Sequence, residues 1–173
     1  KIAFLGGNTH INIGKNRFLG FQEALRKHSI PINEEWIVQS GFGKDDGYNG
    51  FMQLYNTGRL PEFILAITYP VALGVYEAAK HLGVRIPDDV DIISFGDSDV
   101  GRFISPSISC VHQPTAELGS KSVRMILEAI DRPEGMREQH LEIPTELILR
   151  ETGLGKRGRS SGAVAGGVSS MAG

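Results

Sequence analysis

The sequence predicts an α/β protein with an open parallel sheet and helices on both of its faces. Short, continuous apolar runs recur along the chain, as expected for strands that are covered on both sides. Segments with a helical spacing of apolar residues separate these runs, and strands that alternate with helices form βαβ units with a parallel sheet. Polar or glycine-rich loops follow four of the runs, which indicates a ligand-binding edge of the sheet.

Apolar runs predict five strands in the first two thirds of the chain and two short strands near its end. The first five lie at residues 2–5, 36–38, 63–67, 90–95 and 108–111. The two short strands lie at residues 141–143 and 147–149. Because the first five runs are continuous rather than alternating, we expect the body of the sheet to be buried on both faces.

Four amphipathic helices are predicted between these strands. The apolar faces of the first three contain Phe18, Phe21, Leu25 and His28; Tyr48, Phe51, Met52 and Tyr55; and Val71, Val75, Ala78, Ala79 and Leu82. Pro70 suits the first position of the third helix, where no amide donor is needed. The face of the fourth helix contains Gly119, Ser122, Val123, Ile126, Leu127 and Ile130. Thr115 is its predicted N-cap, and Pro133 and Gly135 end it.

The loops after the strands are the candidate ligand site. In open parallel sheets, ligands bind beyond the carboxyl ends of the strands. This rule selects the loops at residues 6–16, 39–44, 68–69 and 96–105.

Composition excludes several classes of protein. The formal net charge of −2 provides no basic field for nucleic acid, and no apolar run approaches the length of about 20 residues that spans a membrane. The single cysteine, Cys110, excludes a disulfide framework within one chain and is expected to pack as a small hydrophobe. No pattern for catalysis, for a cofactor or for a metal is present. The histidines lack metal-ligand spacing: His10, His28, His81, His112 and His140.

The last 21 residues have a different composition from the rest. Residues 153–173 are rich in glycine and serine, and they lack apolar periodicity. Such a segment is predicted to be disordered. It carries Lys156, Arg157 and Arg159, but three positive charges in a glycine-rich tail indicate an inert tail rather than a nucleic-acid site.

Four blocks in order resemble one known family. They are KIAFLGG with RFLGFQEAL, then LAITYPVALGVYEAAKHLGVRIPDDVDIISFGD, then SPSISCVHQP, and finally LILRETG. Together they resemble the effector-binding core of the LacI/GalR family of bacterial transcription regulators, over residues 1–152. The resemblance implies a periplasmic-binding-protein-like fold of type I, of which this chain is mostly the C-terminal lobe.

The resemblance also implies a division of the chain. Residues 1–112 form the C-terminal lobe, 113–133 a crossover helix of the N-terminal lobe, 134–152 closing strands of the C-terminal lobe, and 153–173 the tail. The family's helix-turn-helix head and first half-core do not precede Lys1, so the chain is expected to be a C-terminal fragment. Alone, it should be poorly stable or self-associate, because the crossover helix would expose an apolar face.

Three site residues are implied at family positions. Arg17 in RFLGF corresponds to an arginine that reaches the ligand, and a guanidinium suits vicinal hydroxyls or a purine edge. Phe42 corresponds to an aromatic that stacks on the ligand ring. Where the family has FDD this chain has FGD, so Gly96 replaces the ligand-binding acid and Asp97 follows it. Asp97 therefore either reaches the ligand by a different turn or makes a local turn bond.

Four further residues complete the implied site. Thr68 and Tyr69 replace the family's Asn-Asp pair; Tyr69 either caps the next helix poorly or projects into the cleft. Asn12 can donate and accept hydrogen bonds in the first loop. Gln113 bonds either the ligand or the backbone of the lobe crossover.

The implied function is effector sensing by a cytoplasmic, homodimeric regulator that binds operator DNA only through its missing head. Ile11 and Ile13 stand where some purine-binding relatives have Arg and Thr, which favours a sugar-like effector over a purine. The alternative is a periplasmic sugar-binding protein of a transport or chemotaxis system. An enzyme on the same sheet is a third, weaker hypothesis, and no cofactor or membrane contact is expected.

Overall fold

The computed structural model describes residues 1–131 and 140–155; at Arg102 it describes the backbone alone. A six-stranded sheet lies at its centre. The strand order is β2-β1-β3-β4-β5-β6. The first five strands pair in parallel, whereas β6 runs antiparallel to β5 at the edge. The strands are β1 Ile2–Leu5, β2 Ile37–Val38, β3 Phe63–Ala66, β4 Asp91–Phe95, β5 Ser109–His112 and β6 Glu146–Ile148. The predicted α/β class is confirmed.

Four helices lie where the apolar spacing predicts them. They are α1 Asn12–Lys27, α2 Lys44–Asn56, α3 Tyr69–Leu82 and α4 Thr115–Asp131. Successive β1 side chains point to opposite faces. The Phe4 ring packs on Phe18 and Phe21 of α1, with ring centroids 5.1 and 5.3 Å apart, whereas Leu5 faces Gly50 of α2. Helices therefore cover both faces of the sheet.

The α2–α3 pair packs backbone against backbone. At Gly74 of α3, an added Cβ would lie 2.5 Å from the amide nitrogen of Tyr48 in α2 and would also overlap the carbonyl oxygen of Lys44. A glycine usually destabilises a helix interior, but here it lets the two helices approach. The buried face of α3 contains Val71, Ala72, Val75, Ala78 and Ala79.

Several details differ from the prediction. Trp36 lies in a short 3-10 turn before β2, and its indole Nε1 donates to the carbonyl of Arg59, 3.3 Å away. Residues 141–143 form no strand, since β6 already occupies the edge of β5. Tyr55 and His28 are exposed; Leu54, three residues after Phe51, takes the buried position on α2 instead.

The fourth helix is present, but its predicted buried stripe is not buried. No residue of α4 is buried, and its Val123, Ile126, Leu127 and Ile130 side chains are between 55% and 68% exposed. The helix therefore presents an apolar stripe that no described element covers. The predicted end of this helix, at Pro133 and Gly135, lies outside the described residues.

The closing segment is fastened to the sheet. The side chain of Asp91, at the start of β4, accepts hydrogen bonds from the amides of Gly153 and Gly155, at 2.7 and 2.8 Å. Thr152 is fully buried and bonds to Ser109 of β5. The remainder of the predicted tail, residues 156–173, lies outside the described residues. Within the described ranges, no helix is long and apolar enough to cross a membrane.

Candidate ligand-binding site

Backbone and side-chain hydrogen bonds join the predicted loops at the carboxyl edge of the sheet. The amide of Gly7, after β1, donates to the carbonyl of Gly41, after β2. The hydroxyl of Thr68, after β3, donates to the carbonyl of Phe42 at 2.8 Å. The segment from β1 to α1 reaches the end of β3 through Arg17, whose Nη1 donates to the carbonyl of Ile67 at 2.7 Å. These bonds join the loops after β1, β2 and β3 into one rim, and the loop after β4 meets it where Gly101 lies against the ring of Tyr69.

Three contacts hold the guanidinium of Arg17 at this rim. Besides the bond to Ile67, its Nη2 donates to Oε1 of Gln113 at 3.4 Å. Its guanidinium carbon lies 3.9 Å from the centroid of the Phe95 ring, a cation–π contact. Partial burial lowers the pKa of Arg17, but an arginine stays charged at neutral pH. The side chain is half-buried, which leaves donors for a ligand.

Thr68 and Phe42 lie on the opposite part of the rim. The Thr68 hydroxyl also accepts from the amide of Val71 at 3.3 Å, so Thr68 is the N-cap of α3. Both of its hydrogen-bonding roles are therefore occupied by protein. Pro70 is consequently the second residue of the helix, whereas the sequence predicted it at the first position. Phe42 is half-buried against the core.

Tyr69 is the first residue of α3, and it lies below the rim. Its side chain is 8% exposed, and its hydroxyl oxygen has no hydrogen-bond partner among the described residues. A Cβ added at Gly101 would lie 3.3 Å from that oxygen, so the backbone of the loop after β4 covers the ring. The structure places Tyr69 under this loop and not in the open cleft. Burial, and then Asp97, raises the pKa of Tyr69.

Asp97 forms a bidentate ion pair with Arg150. Its two carboxylate oxygens accept from Nη1 and Nη2 of Arg150 at 2.9 and 2.7 Å, and Oδ1 also accepts from the amide of Ser98 at 2.8 Å. The hydrogen bonds from Arg150 hold the pKa of Asp97 below its usual range. Gly96 has a φ of 88°, a conformation that favours glycine, so this glycine sets the turn before the acid.

The remaining expected residues lie at or near the rim. Asn12 is the exposed first residue of α1, between the exposed side chains of Ile11 and Ile13. Gln113 follows β5 and contacts Arg17, so two of the expected residues meet directly. Cys110 is buried and unoxidised, and burial raises the pKa of its thiol to about 11, as expected for a packing residue.

Three residues of this edge were not predicted. Phe95 supports Arg17, Arg150 neutralises Asp97, and Nδ1 of His112 lies 3.9 Å from a carboxylate oxygen of Asp97. Arg150 stood within a block that carried the resemblance, but a pairing across 53 residues leaves no periodic signal. No local sequence pattern singled out Phe95 or His112.

An apolar groove continues from Arg17 along the α1 face of the sheet. It has a volume of about 560 Å³, and its floor includes Leu65, Ile93, Phe95 and Val111. Its walls are apolar, unlike the rim. Across the described residues, no group of three or more His, Cys, Asp or Glu side chains is arranged to hold a metal ion.

Comparison with known proteins identifies the family. The family model described as "Periplasmic binding protein-like domain" matches residues 1–152. A ribose operon repressor from Haemophilus influenzae is 35% identical over 153 residues, which cover 88% of this chain and 46% of that protein. An HTH-type transcriptional repressor PurR from Photorhabdus laumondii is 34% identical over 153 residues, covering 87% of this chain and 44% of that protein.

Solved structures agree with these relatives. The crystal structure of a putative transcriptional regulator LacI from Bacillus cereus subsp. cytotoxis has a TM-score of 0.84 and 27% identity, covering 90% of this chain and 55% of that one. A transcriptional regulator CelR–cellobiose complex has a TM-score of 0.81 and 25% identity, covering 88% and 46%. The chain thus spans about half the length of the proteins that it matches. It belongs to the periplasmic binding protein-like family, and its likeness is to the effector-binding cores of LacI/GalR-type regulators.

Proposed function

We propose that this chain is the effector-sensing part of a DNA-binding transcription regulator. The observation that carries the proposal is the rim: Arg17 is held at the carboxyl edge of the sheet by Ile67, Phe95 and Gln113, in a domain whose relatives are named as repressors. A small molecule that takes the donors of Arg17 changes the contacts of the crossover segment at Gln113. The remainder of the intact polypeptide would supply the operator contacts.

The proposed effector is a neutral, sugar-like molecule. Arg17 can donate to vicinal hydroxyls, and Phe42 offers an aromatic surface for the apolar face of a sugar ring. Asp97 is neutralised by Arg150, so it does not provide a free negative charge for a cationic ligand. One relative is a ribose operon repressor and another is a PurR repressor, so ribose and a purine base are the two probes that decide between the classes.

The proposed architecture places α4 in a second lobe. Residues 113–133 would be the crossover helix of that lobe, which accounts for a helix with no buried residue. Residues 1–112 and 134–152 would form the present lobe. A homodimer is proposed as well. Its support here is the loop after β4, where Phe103 is 85% exposed beside the exposed Val100.

An exported sugar-binding protein is the second candidate. It shares the fold and the cleft, but the curated relatives reported above are repressors, which favours a non-catalytic regulator that works in the cytoplasm. The two candidates differ in one property, since only the regulator couples ligand binding to DNA affinity.

The test is a DNA-binding titration of the intact gene product that contains this chain. A double-stranded site is selected in vitro from a random library, and its affinity is measured with and without D-ribose or adenine. We expect ribose to change the DNA affinity at least about fivefold, within the usual range of allosteric coupling. Arg17→Ala should abolish this change, whereas Arg26→Ala, an exposed arginine of the same helix, should keep it. Failure to select any DNA site would contradict the proposal that the protein is a DNA-binding regulator.

A further inference from the structure

Arg17 is held by three groups that differ in strength. The bond from Nη1 to the carbonyl of Ile67 is short, at 2.7 Å. The guanidinium carbon lies over the Phe95 ring, 3.9 Å from the ring centroid. The bond from Nη2 to Oε1 of Gln113 is 3.4 Å, near the limit for a hydrogen bond. Of the three contacts, the one to Gln113 is therefore the easiest to replace.

Gln113 lies in the short connection between β5 and α4. It directly follows β5 and precedes Pro114, and its carbonyl accepts from the amide of Thr115 at 2.8 Å, at the start of α4. Since no residue of α4 is buried, the helix is not anchored to the sheet by packing of its own. A side-chain bond at Gln113 thus restrains the segment through which α4 is attached.

We propose that Phe95 and Gln113 are positioning residues for Arg17, and that the Arg17–Gln113 hydrogen bond is a latch that holds the crossover segment in the free state. Phe95 keeps the guanidinium plane fixed at the rim. Gln113 takes one donor of Nη2 until a better acceptor arrives.

The latch gives the effector a means of acting on α4, a step that rests on the proposed function. A pair of ligand oxygens accepts from two nitrogens of the guanidinium fork. The bond to Ile67 is short and is retained, so the ligand replaces the long bond to Gln113. Gln113 and the crossover segment then become free to move with α4.

The ligand-free test is hydrogen exchange of the backbone amides of residues 113 and 115–118 in the 173-residue chain. Gln113→Met removes the acceptor and should raise the exchange rate about fivefold, the effect of losing one ordinary hydrogen bond. Phe95→Leu should raise it by a smaller factor, about twofold, because a cation–π contact is lost. Gln53→Met on the exposed face of α2 and Phe63→Leu at the far end of the groove are the matched controls, with unchanged rates expected.

A charged variant separates the latch from simple stabilisation of the helix. Gln113→Glu should slow exchange, because a charge-assisted bond to Arg17 is stronger. A carboxylate near a helix start is also favourable without Arg17. The double variant Arg17→Ala/Gln113→Glu removes this ambiguity: the latch predicts fast exchange there, and slow exchange would overturn it. Equal rates in the wild type and Gln113→Met would overturn it as well.

D-ribose is the probe for replacement of the latch. In the intact gene product that contains this chain, saturating ribose should make the amides of residues 113 and 115–118 exchange as fast as they do in Gln113→Met. Gln113→Met should also bind ribose about fivefold more tightly than the wild type. Weaker binding by Gln113→Met would make Gln113 a ligand contact and would overturn the replacement step. If ribose shifts the melting temperature of no variant, the proposed sugar effector fails, while the ligand-free rates still decide the latch.

Discussion

Helices α3 and α4 have similar sequence patterns and opposite environments. Both carry small and apolar residues at helical spacing on one side. In α3 seven of the 14 residues are buried, whereas none of the 17 residues of α4 is. The pattern therefore predicts a helix and the side that needs cover, but it does not determine what provides the cover.

The reason for the difference lies in the connections. Strands β3 and β4 lie side by side in the sheet, so the helix between them must return across that sheet and pack on it. The connection from β5 to β6 contains α4, but β6 runs antiparallel at the edge and imposes no such return. On the charged side of α4, Lys121 and Glu117 pair at 2.6 Å one turn apart. Its apolar side has no such partner.

The largest expected effect comes from placing a charge on each helix. Val75→Asp buries a carboxylate in the α3 core and should lower the free energy of unfolding by about 4 kcal/mol or more. Val123→Asp on α4 should change it by less than about 0.5 kcal/mol. Urea unfolding followed by circular dichroism measures both. If Val75→Asp does not fold, Val75→Ala should still lose about 2 kcal/mol. Equal losses at the two positions would show that α4 is packed in solution.

A methyl group at a glycine of each helix gives effects of opposite sign. Gly74→Ala forces Cβ against the backbone of α2 and should destabilise the chain by about 3 kcal/mol. Gly119→Ala meets no atom within 4 Å and should stabilise α4 by about 0.5–1 kcal/mol, since alanine is the better helix former. Thermal unfolding and the helical signal at 222 nm provide the measurements. A neutral Gly74→Ala would mean that α2 and α3 are further apart than described.

The ion pair at the rim should make stability depend on acid pH. Arg150 lowers the pKa of Asp97, so the charged carboxylate stabilises the fold above the ordinary value near 3.8. This contribution should be lost as the pH falls below that value, through the lower native pKa. Asp97→Asn should lower the free energy of unfolding by about 2 kcal/mol at pH 7, the range for a hydrogen bond to a charged group. The free energy of unfolding of this variant should also fall less steeply at acid pH than that of the wild type. Asp131→Asn, on exposed α4, is the control, and a matching loss there would contradict the assignment.

The smallest difference is expected at the helix starts. Thr68→Ala removes the cap of α3 and the bond to Phe42, and should cost about 1 kcal/mol. Thr115→Ala, at the exposed first residue of α4, should cost about 0.3 kcal/mol or less. Urea midpoints at constant slope distinguish the two. A larger loss at Thr115 would indicate that the start of α4 carries more of the fold than its exposure suggests.

Local patterns made most of the fold predictable. The continuous apolar runs located the first five strands, and the helical spacing located all four helices. The errors are non-local. Tyr55 and Leu54 are adjacent on α2, and only the position of the sheet decides which of them is buried. The absence of a strand at residues 141–143 follows from the pairing of β6 with β5, which no local pattern contains.

The site was predictable to the extent that it follows strand ends. Arg17 and Gln113, 96 residues apart in sequence, do meet at the rim. The hydrogen-bond partners of the neighbouring residues could not be predicted, because they come from other strands and loops of the sheet. Asp97 was open between a ligand contact and a turn bond, and the structure adds Arg150 as its main partner. Tyr69 was open between a cap and the cleft, and the structure gives the cap to Thr68.

The role of Arg17 is best tested by a calorimetric titration of the intact gene product that contains this chain with D-ribose. We predict that the wild type and Arg26→Ala bind ribose with equal affinity, and that Arg17→Ala binds at least about tenfold more weakly, through the loss of hydrogen bonds from a charged donor. Equal affinity of Arg17→Ala and the wild type would contradict the proposed site, and no heat with ribose in any variant would contradict a ribose-like effector.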